Sequence, residues 1–152
     1  MFGPPGHLYV YTIHNRVCMN IVTQPEGLGA AVLIRALQPI AGLDRMRHNR
    51  FQSAIEAQPE KKQRDIDLTN GPGKLCQAMG IDLNCNGMSL LDNNSIWIEH
   101  CVPPSRFSIT SSVRIGISQG VELPYRYFVD GNPFVSGKAS DHSRKRNAAF
   151  SI

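Results

Sequence analysis

The chain is organised around HLYVYTIHNRVCMNIV, residues 7–22. Two runs rich in aromatic and β-branched residues flank a short polar turn, and this pattern is typical of a β-hairpin. Alternation along the first run separates Leu8 and Val10 from Tyr9 and Tyr11. Alternation along the return run puts Asn20 on one face of the hairpin, and we expect this to be the face that carries Tyr11.

An aromatic ring beside an amide is suited to holding a planar heterocycle, because the ring stacks on the heterocycle and the amide hydrogen-bonds its edge. The turn His14-Asn15-Arg16 would place a cation near the phosphate of such a ligand. The alternative is an ordinary buried hairpin whose polar residues only pack. Taken by itself, the hairpin stretch favours this alternative.

Length and composition indicate one globular domain of 152 residues, with 41% apolar and 18% charged residues. No apolar run approaches the roughly 20 residues that a membrane span needs, so we expect no membrane partner. The net charge of +4 and the pI of about 9.0 favour a polyanionic partner. Basic proteins often bind no polyanion, so the charge permits this interpretation without establishing it.

The four cysteines, at positions 18, 76, 85 and 101, form no C-x-x-C pair. Neither a zinc site nor a redox motif is therefore predicted, and buried reduced thiols are the expectation. The start MFGPPG lacks a basic region followed by an apolar run, so no secretory signal is predicted. Both observations favour a reducing cytoplasm, and nothing in the motifs indicates a metal or a cofactor.

Arg35 is the one charge in the apolar run of residues 30–37, which we predict to form a buried strand. A buried guanidinium must be paired with carboxylates or carbonyls, or it must bind an anion such as a phosphate. Both alternatives stay open at this point. Residues 43–51 then predict a short basic amphipathic helix, and residues 56–67 predict a solvated loop.

The segment NGPGK, residues 70–74, predicts the start of a helix that runs to Gly80. Asn70 is the expected N-cap, and Leu75, Cys76 and Met79 are expected to face inward. Free amides of the first turn together with Lys74 could bind an anion, whereas plain helix capping is the simpler interpretation. The spacing of this segment does not match a P-loop, so we expect no nucleoside triphosphate.

The second half of the chain predicts mainly strands, at residues 95–101, 114–118 and 125–129, with a turn at residues 130–133. Residues 137–152 contain the run Arg144-Lys145-Arg146 and predict a disordered basic tail that adds non-specific phosphate affinity. No internal repeat and no linker divide residues 1–136.

Five segments in this order and spacing resemble the alkyladenine (methylpurine, or 3-methyladenine) DNA glycosylase family. They are MFGPPGHLYVYTIHNRVCMNIVT, AAVLIRALQPIAGLDRMR, LTNGPGKLCQAMGIDL, RIGIS and LPYRYFVDGNPFVS. The likeness runs from residue 1 to about Ser136. Several motifs in register are far more specific than any single one, so the resemblance favours functional over purely structural roles for the polar residues above.

The resemblance implies base-excision repair: a damaged purine is flipped out of double-stranded DNA and its N-glycosidic bond is hydrolysed without metal or cofactor. By position, Tyr11 matches the tyrosine that stacks on the flipped base, and Asn20 matches the asparagine that disfavours the amino group of guanine. His14 stands where the family has a wedge residue that fills the gap in the duplex. The implied phosphate contacts are Arg16, Arg35, Gly73 and Lys74.

The resemblance also implies a fold, namely a single α+β domain over residues 1–136 with a curved antiparallel sheet, surrounding helices and a β-hairpin protruding toward DNA. We expect a monomer, located in the cytoplasm with the bacterial nucleoid or in the nucleus of a eukaryote.

The catalytic residue is not identified in the sequence. In the family, a glutamate upstream of the segment equivalent to Met1-Phe2 activates the water, and none of the twelve acidic residues matches it. We therefore expect an N-terminally incomplete glycosylase. The alternatives are a non-catalytic DNA-binding relic of the family and a structural or interaction domain.

Overall fold

The computed structural model describes residues 1–57, 64–92, 94–100, 107–137 and 147–150. Within these ranges, six strands lie in two small antiparallel sheets, with order β1-β2-β3 and β5-β4-β6. The strands are β1 Leu8–Ile13, β2 Arg16–Val22, β3 Ala31–Leu33, β4 Ile109–Ser112, β5 Arg126–Val129 and β6 Asn147–Phe150. The helices are α1 Leu43–Ala57, α2 Ile66–Thr69 and α3 Pro72–Met79, followed by a 3₁₀ turn at Leu83–Cys85. The predicted single α+β domain is confirmed, with its strands divided between two sheets.

Strands β1 and β2 pair antiparallel, with Tyr9 opposite Asn20, Tyr11 opposite Cys18 and Ile13 opposite Arg16. The two loop residues, His14 and Asn15, have φ angles of 46° and 57°. Positive φ at both central residues is what a type I′ turn requires, and this turn matches the twist of the flanking strands. The predicted hairpin and its polar turn are therefore present. Its protrusion toward DNA stays a prediction.

The main core lies between the hairpin and the segment from α3 to Leu90. Each of its residues is at most 6% exposed, and burial of such a side chain contributes about 1.5–3 kcal/mol. The cluster consists of Leu8, Val10, Met19, Leu75, Cys76, Ile81 and Leu90. Leu75 and Cys76 face inward as predicted, whereas the prediction for Met79 is wrong because its side chain is 39% exposed.

The third strand is shorter and less buried than predicted. It comprises only Ala31–Leu33 and lies at the edge of its sheet, where Val32 is 54% exposed. One more backbone bond joins Ile34 N–H to the carbonyl of Met19, after which the chain leaves the strand. Arg35 is thus not inside a strand, and its guanidinium reaches across to Ser136.

Helix α1 extends further than the predicted residues 43–51. No proline or glycine follows Gly42 until Pro59, so nothing in the sequence stops the helix before Ala57. The predicted loop at 56–67 is wrong at both ends, because residues 56–57 belong to α1 and Ile66–Thr69 form α2. Residues 58–63 lie outside the described residues.

Only one of the three later strands was placed correctly. The prediction for 125–129 is confirmed by β5, Arg126–Val129. Residues 95–100 form no strand, since Trp97 is 56% exposed and Ile98 makes one backbone bond, to Leu90. Cys101 lies outside the described residues.

The strand predicted at 114–118 is instead β4, Ile109–Ser112. Arg114 and the residues after it form a loop, in which the guanidinium of Arg114 donates to the carbonyls of Gln119 and Gly120. These local bonds hold the segment in a turn rather than in a sheet.

The predicted disorder of the tail is wrong for Asn147–Phe150, which form β6 and pair with β4. The run Arg144-Lys145-Arg146 lies outside the described residues. The domain boundary at residue 136 stays a prediction. Among the described helices, none is long and apolar enough to span a membrane.

Candidate nucleic-acid interface

Tyr11 and Asn20 lie on the same face of the hairpin, as the alternation predicts. Tyr9 and Asn20 are cross-strand partners, and so are Tyr11 and Cys18. Directly opposed residues of an antiparallel pair point to the same side of the sheet, so these four side chains share one face. The rings of Tyr9 and Tyr11 stack, with centroids 5.3 Å apart and planes 22° apart. This face presents an aromatic surface with an amide beside it.

Asn20 is held in place by the hairpin itself. Its side chain is among the buried polar groups, with the residue 7% exposed, and its Nδ2 donates to the carbonyl of Tyr9 at 3.0 Å. Because the amide is oriented by this bond, its Oδ1 has a defined position on the face that carries Tyr11. A fixed amide is able to discriminate between ligands that differ by one donor group.

Arg35 borders the same face. Burial raises the pKa of Tyr11 most, the neighbouring Cys18 and Tyr9 add to this, and the positive charge of Arg35 opposes it. The guanidinium of Arg35 therefore lies within electrostatic range of the Tyr11 hydroxyl. Its Nε donates to Ser136 Oγ at 3.1 Å, and it makes further contacts.

Ser136 connects Arg35 to the second sheet. Arg126 on β5 donates to the carbonyl of Ser136 at 2.8 Å and to Ser112 Oγ at 2.9 Å. Arg126 is 5% exposed and also lies over the ring of Phe128, 4.4 Å from its centroid. The second sheet thus fixes the position from which Arg35 faces the hairpin.

A groove of about 500 Å³ lies between the hairpin tip and the start of α3. It contains the other predicted contacts, including the tip residue His14, and it carries the cations of Arg16 and Lys74. Its lining residues are Ile13, His14, Arg16, Cys18, Arg50, Gly71, Pro72, Gly73 and Lys74. Because Cys18 also belongs to the Tyr11 face, the groove and that face are adjacent.

Gly73 lies where the helix start approaches the hairpin tightly. A Cβ on Gly73 would lie 3.1 Å from Cβ of Arg16, which is tighter than ordinary packing. The absence of a side chain therefore lets α3 approach the tip closely enough for one groove to include both elements.

The cap of α3 differs from the prediction. Gly71, with extended backbone, is the N-cap, and it has no side chain that could cap the helix. Asn70 instead accepts a hydrogen bond from Lys74 Nζ at 2.7 Å, and Asp67 lies 3.5 Å from the same ammonium group. Lys74 is therefore oriented beside the first turn of α3, whose amides no side chain of the described residues caps, and this arrangement favours an anion.

Three residues of this region were not assigned a role from the sequence. Arg50 lines the groove, and Ser136 and Arg126 hold Arg35. Arg50 belonged to a predicted basic helix whose charges looked alike. Only its tertiary neighbours distinguish Arg50 from the other charges of that helix. For Ser136, the match of FVS to the family pattern was a signal in the sequence.

Two of the predicted buried thiols are present in the core. Cys18 and Cys76 are buried and unpaired with another cysteine, whereas Cys85 is partly exposed. Burial raises the pKa of the Cys76 thiol to about 11, so Cys76 is neutral at physiological pH. No group of three or more potential metal ligands occurs within the described ranges.

Comparison with known proteins identifies the family. Residues 1–133 match the family described as methylpurine-DNA glycosylase (MPG). A protein of Rhodopirellula baltica named "Putative 3-methyladenine DNA glycosylase" is 47% identical over 148 residues, which are 96% of this chain and 60% of that protein. Proteins of the same name from Alkaliphilus oremlandii and Bacillus cereus strain B4264 are each 42% identical, over 91% of this chain and 68% and 69% of their own lengths.

The chain thus spans about 60–70% of the length of these relatives. The matched family covers nearly all of residues 1–136, which contain the hairpin face and the groove. The chain belongs to the methylpurine-DNA glycosylase family.

Proposed function

We propose that this chain binds double-stranded DNA as a monomer and holds a flipped, damaged purine for hydrolysis of its N-glycosidic bond in base-excision repair. Alkylated and deaminated purines are the proposed substrates. The observation that carries the proposal is the shared hairpin face, on which the Tyr11 ring, the fixed amide of Asn20 and the stacked ring of Tyr9 lie on one side of the sheet, with Arg35 within electrostatic range of Tyr11.

The energetics of base flipping fit these groups. Removing a base from the stack costs a few kcal/mol, and the cost is lowest for a damaged base. Stacking on one aromatic ring returns about 1–3 kcal/mol. The cations at Arg16, Arg35 and Lys74 would hold the phosphates around the flipped nucleotide, and His14 at the turn would occupy the vacated space.

Asn20 supplies discrimination. Guanine differs from hypoxanthine by an exocyclic amino group, which would meet the fixed side chain of Asn20 on this face. A clash or an unmatched donor at this point excludes the normal base without weakening the damaged one. The residues of the hairpin face therefore bind and select the base.

Hydrolysis needs a group that activates water, and a positioned carboxylate supplies roughly a 100-fold to 10,000-fold acceleration. Tyr11, Asn20 and Arg35 are not such groups. Their proposed part in the reaction is to orient the sugar bond and exclude competing bases.

The test compares duplexes that differ only at one base pair, with hypoxanthine, ethenoadenine or adenine at that position. The 152-residue chain should bind the two damaged duplexes more tightly in fluorescence anisotropy titrations. Released base is measured by chromatography under single-turnover conditions. Binding without base release would indicate the non-catalytic alternative, and failure to bind any duplex would refute the proposed function.

A further inference from the structure

The groove beside the hairpin tip contains a third cation, Arg50, in addition to Arg16 and Lys74. No Asp or Glu belongs to the groove's described lining. The ammonium group of Lys74 lies 3.5 Å from the carboxylate of Asp67, which does not line the groove. The same carboxylate also bonds Arg64 at 2.8 Å. The groove therefore presents more positive than negative charge to whatever occupies it.

Arg50 is held in a defined orientation by neutral partners. Its two terminal nitrogens donate to Oε1 of Gln77 at 2.7 Å and to the backbone carbonyl of Asp67 at 3.2 Å. The guanidinium also lies 4.9 Å from the ring centroid of Phe51. Each terminal nitrogen carries two N–H groups, so these contacts leave donors for a further partner.

The charge of Arg50 is poorly compensated. Its Nε is buried and has no hydrogen-bond partner within the described part of the chain. Burial lowers the pKa of Arg50 most, the nearby positive charge of Arg16 lowers it further, and Asp67 only partly opposes this. A cation that is desolvated and close to a like charge gains most from an added anion.

Arg47, on the same helix, is an arginine whose charge is neutralised by carboxylates. Its guanidinium forms ion pairs with Asp44 and Asp65, both at 2.6 Å. Two carboxylates neutralise Arg47, whereas the partners of Arg50 are an amide and a carbonyl. The difference indicates that the charge of Arg50, unlike that of Arg47, can be neutralised by an anion from outside the chain.

We propose that Arg50 is a further DNA-binding residue, which contacts one phosphodiester of the duplex next to the one held by Arg16, in the groove between the hairpin tip and α3. The proposal rests on the proposed DNA-binding function and adds a residue to it. Each phosphodiester carries one negative charge, so two guanidinium groups that line the groove from α1 and β2 suit two neighbouring phosphodiesters of the duplex. The position beside His14 places these phosphates next to the opened base pair.

The first test measures the salt dependence of duplex affinity for Arg50→Gln, Arg50→Lys and the control Arg47→Gln. Loss of one phosphate contact lowers the slope of log affinity against log salt by about 0.9, which is about tenfold in affinity near 0.1 M salt. Arg50→Gln should show this decrease, whereas Arg47→Gln should keep the wild-type slope. Arg50→Lys should keep the slope because it keeps the charge.

The second test replaces single phosphates of the duplex by neutral methylphosphonates. Wild-type affinity should fall at the position that Arg50 contacts, and Arg50→Gln should be insensitive at that same position. Equal sensitivity of the two proteins at every position would overturn the inference. If Arg50→Gln does not fold, the Arg50 Nε–H resonance of the wild-type chain is followed by NMR during duplex titration. An unchanged resonance at saturation would also overturn the inference.

The outcomes separate the two proposals. Duplex binding by the wild type with an unchanged slope for Arg50→Gln overturns the role of Arg50 and leaves the proposed function standing. Absence of duplex binding by the wild type overturns both. Titration with inorganic phosphate is the remaining control, because tight binding of free phosphate at Arg50 would show a small-anion site instead of a DNA contact.

Discussion

At the scale of single residues, Tyr11 is expected to supply most of the stacking on a flipped base. Tyr11→Ala should weaken binding of a hypoxanthine duplex by about 1–3 kcal/mol, because the aromatic surface is lost. Tyr11→Phe is the control, since it keeps the ring and removes only the hydroxyl. Fluorescence titration of the three proteins measures the effect. Equal affinity of the alanine variant and the wild type would show that Tyr11 only packs against Tyr9.

Asn20 should affect selectivity more than affinity. Asn20→Ser removes the fixed amide, so the preference for hypoxanthine over guanine at the same position should decrease while hypoxanthine binding stays near the wild-type value. Loss of the bond to the Tyr9 carbonyl should also cost about 1 kcal/mol of stability, which urea unfolding measures. If affinity for both duplexes changed by the same factor, Asn20 would have only a structural role.

Cys76 should make stability depend on pH in the alkaline range. Its pKa rises from 9.0 to about 11 in the folded chain, mainly through burial, so the unfolded state loses its proton first. The contribution is fully present below pH 9 and is lost as the pH rises through 11, by about 3 kcal/mol.

Urea unfolding between pH 8 and pH 11 measures this loss. The matched variant is Cys76→Ala, which should be less stable at pH 8 but should lose less stability on going to high pH. Parallel curves for the two proteins would contradict the assignment to Cys76.

At the scale of elements, the positive φ at Asn15 should restrict which residues the hairpin turn tolerates. Asn15 has a φ of 57°, a conformation that costs a non-glycine residue of ordinary shape about 1–2 kcal/mol. Asn15→Gly should raise stability or leave it unchanged, whereas the β-branched Asn15→Val should lower it by about that amount. Thermal unfolding monitored by circular dichroism compares the variants. Equal stability of the valine variant and the wild type would show that the turn adopts another conformation.

The elements also differ in how well their lengths follow from local sequence. Helix α1 continues to Ala57 because no breaker precedes Pro59, and α3 ends at Gly80, whose φ of 70° suits the glycine C-cap. Strand β3 is short for a different reason. Its length depends on how far it can pair with β2 before Arg35 turns toward Ser136.

At the scale of the whole molecule, affinity for DNA should depend strongly on salt. Phosphate contacts from Arg16, Arg35 and Lys74 predict a slope of about −2.7 for log affinity against log salt, and Arg50 would make it about −3.6. Titrations of an undamaged duplex between about 50 and 200 mM salt measure this slope. A slope near zero would favour the structural or interaction domain over either DNA-binding interpretation.

Two pieces of the molecule meet at the proposed site. The hairpin and α3 form the groove, and the second sheet reaches the hairpin face through Arg126, Ser136 and Arg35. Because Ser136 is 101 residues from Arg35 in the chain, this contact depends on the complete fold of the described residues.

The sequence by itself determined the hairpin, its polar turn, the shared face of Tyr11 and Asn20, the helix that begins at NGPGK, and the family. These features depend on the two-residue period of strands, on turn chemistry and on motif spacing, all of which are local. Only the tertiary structure decided which cations converge. Arg47 and Arg50 belong to one basic segment, yet Arg47 meets two carboxylates and Arg50 meets a carbonyl, an amide and the charge of Arg16. Burial and charge compensation arise from neighbours far apart in the chain, so no local pattern distinguishes the two arginines.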